Sequence, residues 1–229
     1  MADIPHSSPV TGDILKNDGI AASAARRRKL LTAVYFLLIS AVMIGLCSRC
    51  SPLYPFNNWN DANCFFTTGK AMFSGKVVYR DIYEQKGILL YFLYGLCYLV
   101  SNKTFLGVYI LEVLRLTGFL ALAYDSALLF LRRRTALILM PIAAAVLCGS
   151  YSFYYGGSVE ELELALVYLS ICCMLKSYFK NGDCIPSPRV IFVLGVSAAC
   201  LLWSKFTLLG IYIGYVVFTA VLLIKRRDW

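Results

Sequence analysis

Residues 87–101 read Gly-Ile-Leu-Leu-Tyr-Phe-Leu-Tyr-Gly-Leu-Cys-Tyr-Leu-Val-Ser, and only Asn102-Lys103-Thr104 separates them from the next apolar run. A helix needs roughly 20 apolar residues to span the hydrocarbon core. This run falls short, and whether it crosses sets the side of everything after it. If it crosses, the basic clusters 132–134 and 225–227 both move outside. If it dips in and returns, or lies at the interface, an inner N-terminus leaves 26–29, 132–134, Lys176, Lys180, Arg189 and 225–227 all inside. Short cytoplasmic segments carry the excess of Lys and Arg, so the non-crossing reading is preferred.

Working outward, further apolar runs occupy 30–47, 105–130, 136–153, 162–178, 190–203 and 206–224. The expected fold is an all-α integral membrane protein. It would be a polytopic helix bundle of about six crossings plus the re-entrant or juxtamembrane helix. Composition agrees: 59% of residues are hydrophobic and 15% charged. Soluble domains have about 45–50% and 25%. Mean hydropathy is +0.68.

Residues 1–29 are read as a disordered cytoplasmic N-terminus, because the first 25 or so are polar and rich in Ser, Ala and Pro. Residues 30–229 are the transmembrane domain, with 48–86 as its first extracytoplasmic loop. The run 30–47 follows Arg26-Arg27-Arg28-Lys29 and has no small-x-small cleavage site after it. Leu46 before Cys47 argues against a lipoprotein, so a retained signal anchor is expected. The expected location is the cell membrane, multi-pass, with any chemistry on the extracytoplasmic face.

The net charge of +9 lies in short clusters beside apolar runs, the pattern of orientation signals rather than of a nucleic-acid groove. Cys97, Cys148, Cys172, Cys173 and Cys200 sit inside apolar runs, where they act as small hydrophobes. Cys47, Cys50 and Cys64 flank one loop, and a disulfide among them is left open. Cys47-Ser-Arg-Cys50 has no second pair and no nearby His, so a cysteine metal site is not expected.

The outer face collects Asp61, Asp81, Glu84, Lys86, Glu160, Glu161 and Lys205. Residues 60–74 (NDANCFFTTGKAMFS) place Ala62, Phe65, Phe66, Met72 and Phe73 largely on one side, an amphipathic helix for the bilayer surface. Asp61 at its start is either a helix cap, as is Asn60, or an ionised general base toward an acceptor hydroxyl. Residues 75–87 (GKVVYRDIYEQKG) form either a solvated rim or a phosphate-binding mouth using Arg80 and Lys86, with the rim favoured on composition. Gly156-Gly157-Ser158-Val159-Glu160-Glu161-Leu162-Glu163 opens a membrane helix, and Ser158 with Glu161 makes a capping box. Three carboxylates there exceed what a cap needs. Glu112 and Arg115, three apart on one helix, should pair or line a polar cavity. Asp125 is expected to pair with the nearby basic cluster. Lys205 interrupts 190–224 at an outward turn, as a snorkelling Lys or as a cation for a leaving phosphate.

Asp61, the helix carrying Gly69 with Gly75 after it, Tyr79-Arg80-Asp81 and Glu84-Gln85-Lys86-Gly87 before an apolar run resemble the first extracytoplasmic loop of the GT-C glycosyltransferases. The similarity is to bacterial enzymes of the protein O-mannosyltransferase and lipid A aminoarabinose transferase type. It implies that Asp61 is the catalytic carboxylate and that Glu160 or Glu161 is a second acidic residue facing it. It implies donor-phosphate roles for Lys86, Arg115 and Lys205, besides the Arg80 suggested by charge. Gly87-Ile88 stands where many members have prolines, which marks a divergent branch. Members generally run longer, so a truncated relative is also implied.

The expected function is transfer of a sugar from a polyprenyl-phosphate donor to a cell-envelope glycan, lipid or protein acceptor. No cofactor is assigned, and a divalent metal is left open. The rivals are a transporter or flippase component for a lipid-linked sugar, and a non-catalytic fragment of a transferase.

Overall fold

The computed structural model describes residues 9–153, 155–182 and 185–226. Its helices are α1 (Pro9–Cys47), α2 (Asn60–Phe73), α3 (Ile88–Val100), α4 (Leu106–Ala127), α5 (Arg133–Cys148), α6 (Val159–Asn181), α7 (Pro188–Lys205) and α8 (Gly210–Arg226). Short 3₁₀ turns occupy Tyr151–Phe153 and Phe206–Leu209. Among the described residues there is no strand, only an isolated bridge between Val78 and Ile82.

Among the described residues, four helical stretches are long and apolar enough to cross a membrane: Ala22–Cys47, Leu106–Ala127, Val159–Lys180 and Pro188–Lys225. The last contains α7, a 3₁₀ turn and α8. Its helix breaks at Lys205, whose backbone is extended (φ −148°, ψ 96°). The chain then folds back: the Tyr212 hydroxyl of α8 lies 2.7 Å from Ser197 Oγ of α7 and donates to the Leu166 carbonyl of α6, also at 2.7 Å. Ile88–Val100 is a shorter apolar helix.

α1 differs from the expectation for residues 1–29. It is helical from Pro9, while residues 1–8 lie outside the described residues. Ala21-Ala22-Ser23-Ala24-Ala25 and the basic cluster after them are rich in helix formers. Such residues extend an existing apolar helix at little cost, because its nucleus is already made.

Contacts sort the helix ends into two levels. At one end Arg133 Nη2 of α5 reaches Thr32 Oγ1 of α1 at 3.4 Å, and Lys176 of α6 pairs with Asp125 of α4 at 2.7 Å. This basic end carries the clusters 26–29 and 132–134. The opposite, loop end gathers the last turn of α1, the first turns of α4 and α6, and the turn after α7. Phe36, Ile44, Val113, Leu116, Leu120, Ala136, Met140 and Ala144 form a core joining α1, α4 and α5 between the two levels. Leu194, Leu201, Tyr212 and Tyr215 form another under α6.

α3 touches only the loop end. Gly87 N–H, just before it, donates to the Ser204 carbonyl of α7 at 2.9 Å, and its Tyr94 hydroxyl donates to the Gly157 carbonyl at 2.5 Å. α2 lies along it. The apolar face expected on the lipid surface is instead partly spent on α3: Ala62, Phe65, Thr68 and Gly69 are buried. Gly69 makes this possible, since a Cβ there would sit 2.6 Å from Gly95 N. Phe65 meets Tyr94 edge-on at 5.6 Å, and Phe73 packs on Phe92 at 5.7 Å.

Candidate functional site

The start of α6 is the hub of the loop end. Gly156 and Gly157 both have positive φ (74° and 73°), a conformation that L side chains adopt only with strain. They turn the chain sharply so that Ser158 caps α6, its Oγ accepting from Glu161 N–H at 3.1 Å. The capping arm expected from the sequence is therefore present. The Glu161 carboxyl group turns back to the Ser158 and Gly157 amides and meets the Glu112 carboxyl group. The Glu161 side chain is buried at 5% exposure.

Glu112, one turn into α4, ties this hub to the end of α1. It is 1% exposed. One oxygen accepts from Ser48 Oγ at 2.8 Å and the other from Gly157 N–H. Ser48 Oγ in turn accepts from Cys50 N–H at 3.1 Å. The carboxyl group thus satisfies backbone and hydroxyl donors of two separate loops. Glu112 does not pair with Arg115 as the spacing allowed. Arg115 instead lies beside Glu163 of α6, near enough for its charge to act on that carboxylate. Glu163 is fully buried, and the Ser204 hydroxyl lies against its carboxyl group. That hydroxyl is also 2.9 Å from the Cys200 carbonyl. Burial and then the Glu112 carboxylate raise the nearby Cys50 thiol well above its ordinary range, so it stays protonated.

Glu160 points the other way and forms an ion pair with Lys205. Its side chain is 43% exposed and that of Lys205 25%, so the pair faces a wet rim. Lys86 also acts on Glu160 electrostatically, brought there by the Gly87–Ser204 hydrogen bond. Lys86 is held from behind: its N–H donates to Tyr91 Oη at 2.8 Å and to Glu84 at 3.1 Å, and its carbonyl accepts from Tyr79 Oη at 2.6 Å. Two expected phosphate ligands therefore converge on one expected acid.

Beside Glu160 lies a cleft of about 210 Å³ lined by Trp59, Tyr151, Tyr155, Gly156, Ser158 and Glu160. Trp59 and Tyr155 stack with centroids 6.2 Å apart and planes 10° from parallel. The Arg49 guanidinium covers the Tyr155 ring at 5.1 Å. A larger apolar groove of about 610 Å³ runs between α7 and α8, from Pro186 and Leu223 to Ala198 and Leu209. Its upper end lies four residues along the chain from Lys205.

Asp61 and Arg80 stand apart from this convergence. The α2 cap is Trp59, which makes no side-chain cap bond, so neither Asp61 nor Asn60 is a capping residue. Asp61 is exposed in the first turn of α2, two residues from Trp59 of the cleft. Arg80 faces Asp81 at 2.8 Å in an exposed turn, where Asp81 also accepts from Val77 N–H at 2.8 Å. The Arg80 guanidinium, and then the Val77 amide, hold the Asp81 carboxyl below its usual range. This is the solvated rim that composition favoured. Asp125 pairs with Lys176 rather than with the adjacent arginines, because Lys176 reaches it from α6.

Glu112 and Glu163 matter here more than their sequence positions suggested. Gly156-Gly157 beside an acidic cluster was the available signal for a tight turn. Nothing in the spacing reveals that Glu112, 45 residues earlier, would accept from that turn. Among the described residues, no three His, Cys, Asp or Glu side chains are gathered as a metal ion requires. No family model matches the chain, and no curated protein or solved structure does either.

Proposed function

We propose that this chain is a membrane glycosyltransferase of GT-C type, acting on a polyprenyl-phosphate-linked sugar at its loop end, which faces the extracytoplasmic side. In this reading α1, α4, α5, α6, α7 and α8 make about six crossings, and α3 stays at the loop end. The contacts of α3 with Ser204 and Gly157 support that assignment. The basic clusters at the other end support a cytoplasmic N-terminus.

The observation that carries the proposal is the meeting of Glu160, Lys205 and Lys86 at the rim of an aromatic cleft. The ammonium groups suit a phosphate that gains charge as it leaves, a stabilisation realised most strongly in the transition state. The α7–α8 groove is apolar along its length, as a polyprenyl tail requires, and it ends near Lys205. Asp61, exposed beside Trp59, acts as the base that takes the acceptor hydroxyl's proton. The acceptor oxygen then attacks the anomeric carbon, the bond to the phosphate oxygen breaks, and the centre inverts. Arg115 and Glu161 act behind this rim, and Arg80 has no place in it.

Transfer from radiolabelled polyprenyl-phosphate sugars in isolated membranes tests the reading. Wild-type protein should label an envelope acceptor, and Asp61→Asn and Lys205→Ala should each abolish most of that transfer. Undiminished transfer by Asp61→Asn would remove the base assignment. The buried carboxyl groups of Glu161 and Glu163 favour a second reading, in which the protein moves the lipid-linked sugar, since intramembrane acids mark translocation pathways. Flipping of the labelled lipid without any covalent transfer would select it.

A further inference from the structure

Cys47 is the last residue of α1 and Cys148 the last of α5. These helices pack side by side through one core, in which Cys148 is 5% exposed and Cys47 lies half-buried against it. The thiols are within hydrogen-bonding reach of each other. The other loop cysteines are occupied differently. Cys50 is buried and its Sγ accepts from Asn57 Nδ2 at 3.2 Å, while Cys64 is exposed on α2. The linkage left open among Cys47, Cys50 and Cys64 therefore has no support in the packing, and the facing pair joins two helices instead.

We propose that Cys47 and Cys148 form a disulfide that staples the ends of α1 and α5. The oxidising setting rests on the orientation given above, which puts both helix ends at the extracytoplasmic surface, where disulfides persist. Both thiols are free in this structure, and they sit in one packed cluster at the ends of neighbouring helices, where a disulfide needs only that the two side chains meet. The Cys47 thiolate attacks a sulfur of a protein disulfide donor, and the Cys148 thiolate then displaces that donor from the mixed disulfide. The pair loses two protons and two electrons, one S–S bond forms, and the donor leaves as its dithiol. The donor engages the half-buried Cys47, and docking of α5 brings Cys148 in to displace it.

The test uses full-length protein in membranes quenched with acid. Free thiols are blocked with N-ethylmaleimide in denaturant, disulfides are reduced, and the released thiols are tagged with maleimide-PEG. The wild type should carry PEG on Cys47 and Cys148, and Cys47→Ser and Cys148→Ser should lose both tags. Mass spectrometry of an unreduced digest should recover the peptide pair containing these residues. A wild-type chain with no tag, or with a crosslink through Cys50 or Cys64, overturns the proposal without relying on any variant's folding. Orientation is read separately by an impermeant maleimide on the exposed Cys64 of intact cells. Cys64 labelled from outside with no crosslink defeats the disulfide alone. Cys64 sealed from the reagent with the crosslink present defeats the orientation alone.

Discussion

The two ends of α6 handle charge in opposite ways. At its C-terminal end Lys176 meets Asp125 at 2.7 Å, with side chains 45% and 50% exposed. Such a pair is worth about 0–1 kcal/mol, because water screens it and ordering two side chains offsets the attraction. At its N-terminal end Glu161 and Glu163 are buried, and Glu112 is buried against two loops. Burying carboxylates is unfavourable unless donors or cations compensate. One end is ordinary membrane-surface electrostatics. The other gathers three buried carboxyl groups beside the only rim where Lys86 and Lys205 share an acid among the described residues.

Glu112→Ala should break this contrast most severely. It orphans Ser48 Oγ and Gly157 N–H, and each buried unsatisfied donor costs about 1–3 kcal/mol. Thermal unfolding in nanodiscs should drop sharply, with Glu112→Gln in between because it keeps one acceptor oxygen. An unmoved midpoint would mean that the loops are not held by Glu112. Lys205→Ala should come next, but on chemistry rather than stability. Transfer should fall roughly 10²–10³-fold, the usual consequence of removing one transition-state donor, while melting hardly shifts. A melting loss as large as that of Glu112→Ala would make Lys205 structural.

Gly156→Ala should lower stability by about 1–3 kcal/mol, since its φ of 74° disfavours a side chain and the new Cβ would collide with Ser48 Oγ. Wild-type melting of this variant would show that the turn relaxes freely. Asp125→Asn marks the small end of the scale. It should cost under about 1 kcal/mol and leave transfer intact, and a lost activity would erase the difference between the two ends.

The helices were legible because apolar runs alternate with charged or polar breaks, and the Ser158 cap because it is a local spacing. α1 ran further than expected because helix propensity continues through the polar segment before the membrane. The site was legible only in part. Glu160, Lys205 and Lys86 are candidates by their positions at apolar boundaries, yet the pairing of Glu160 with Lys205 joins residues 45 apart. Spacing along one helix allows Glu112 to pair with Arg115 or to line a polar cavity, and it cannot reveal partners on other segments. Arg80 looked like a ligand for the same reason, although its neighbour Asp81 already holds it.

Binding of tritiated polyprenyl phosphate to the purified protein in nanodiscs tests the donor rim most directly. Wild type and Asp125→Asn should bind alike, and Lys205→Ala should bind at least about tenfold more weakly, a loss of roughly 1.4 kcal/mol. Equal affinity in all three would contradict the account.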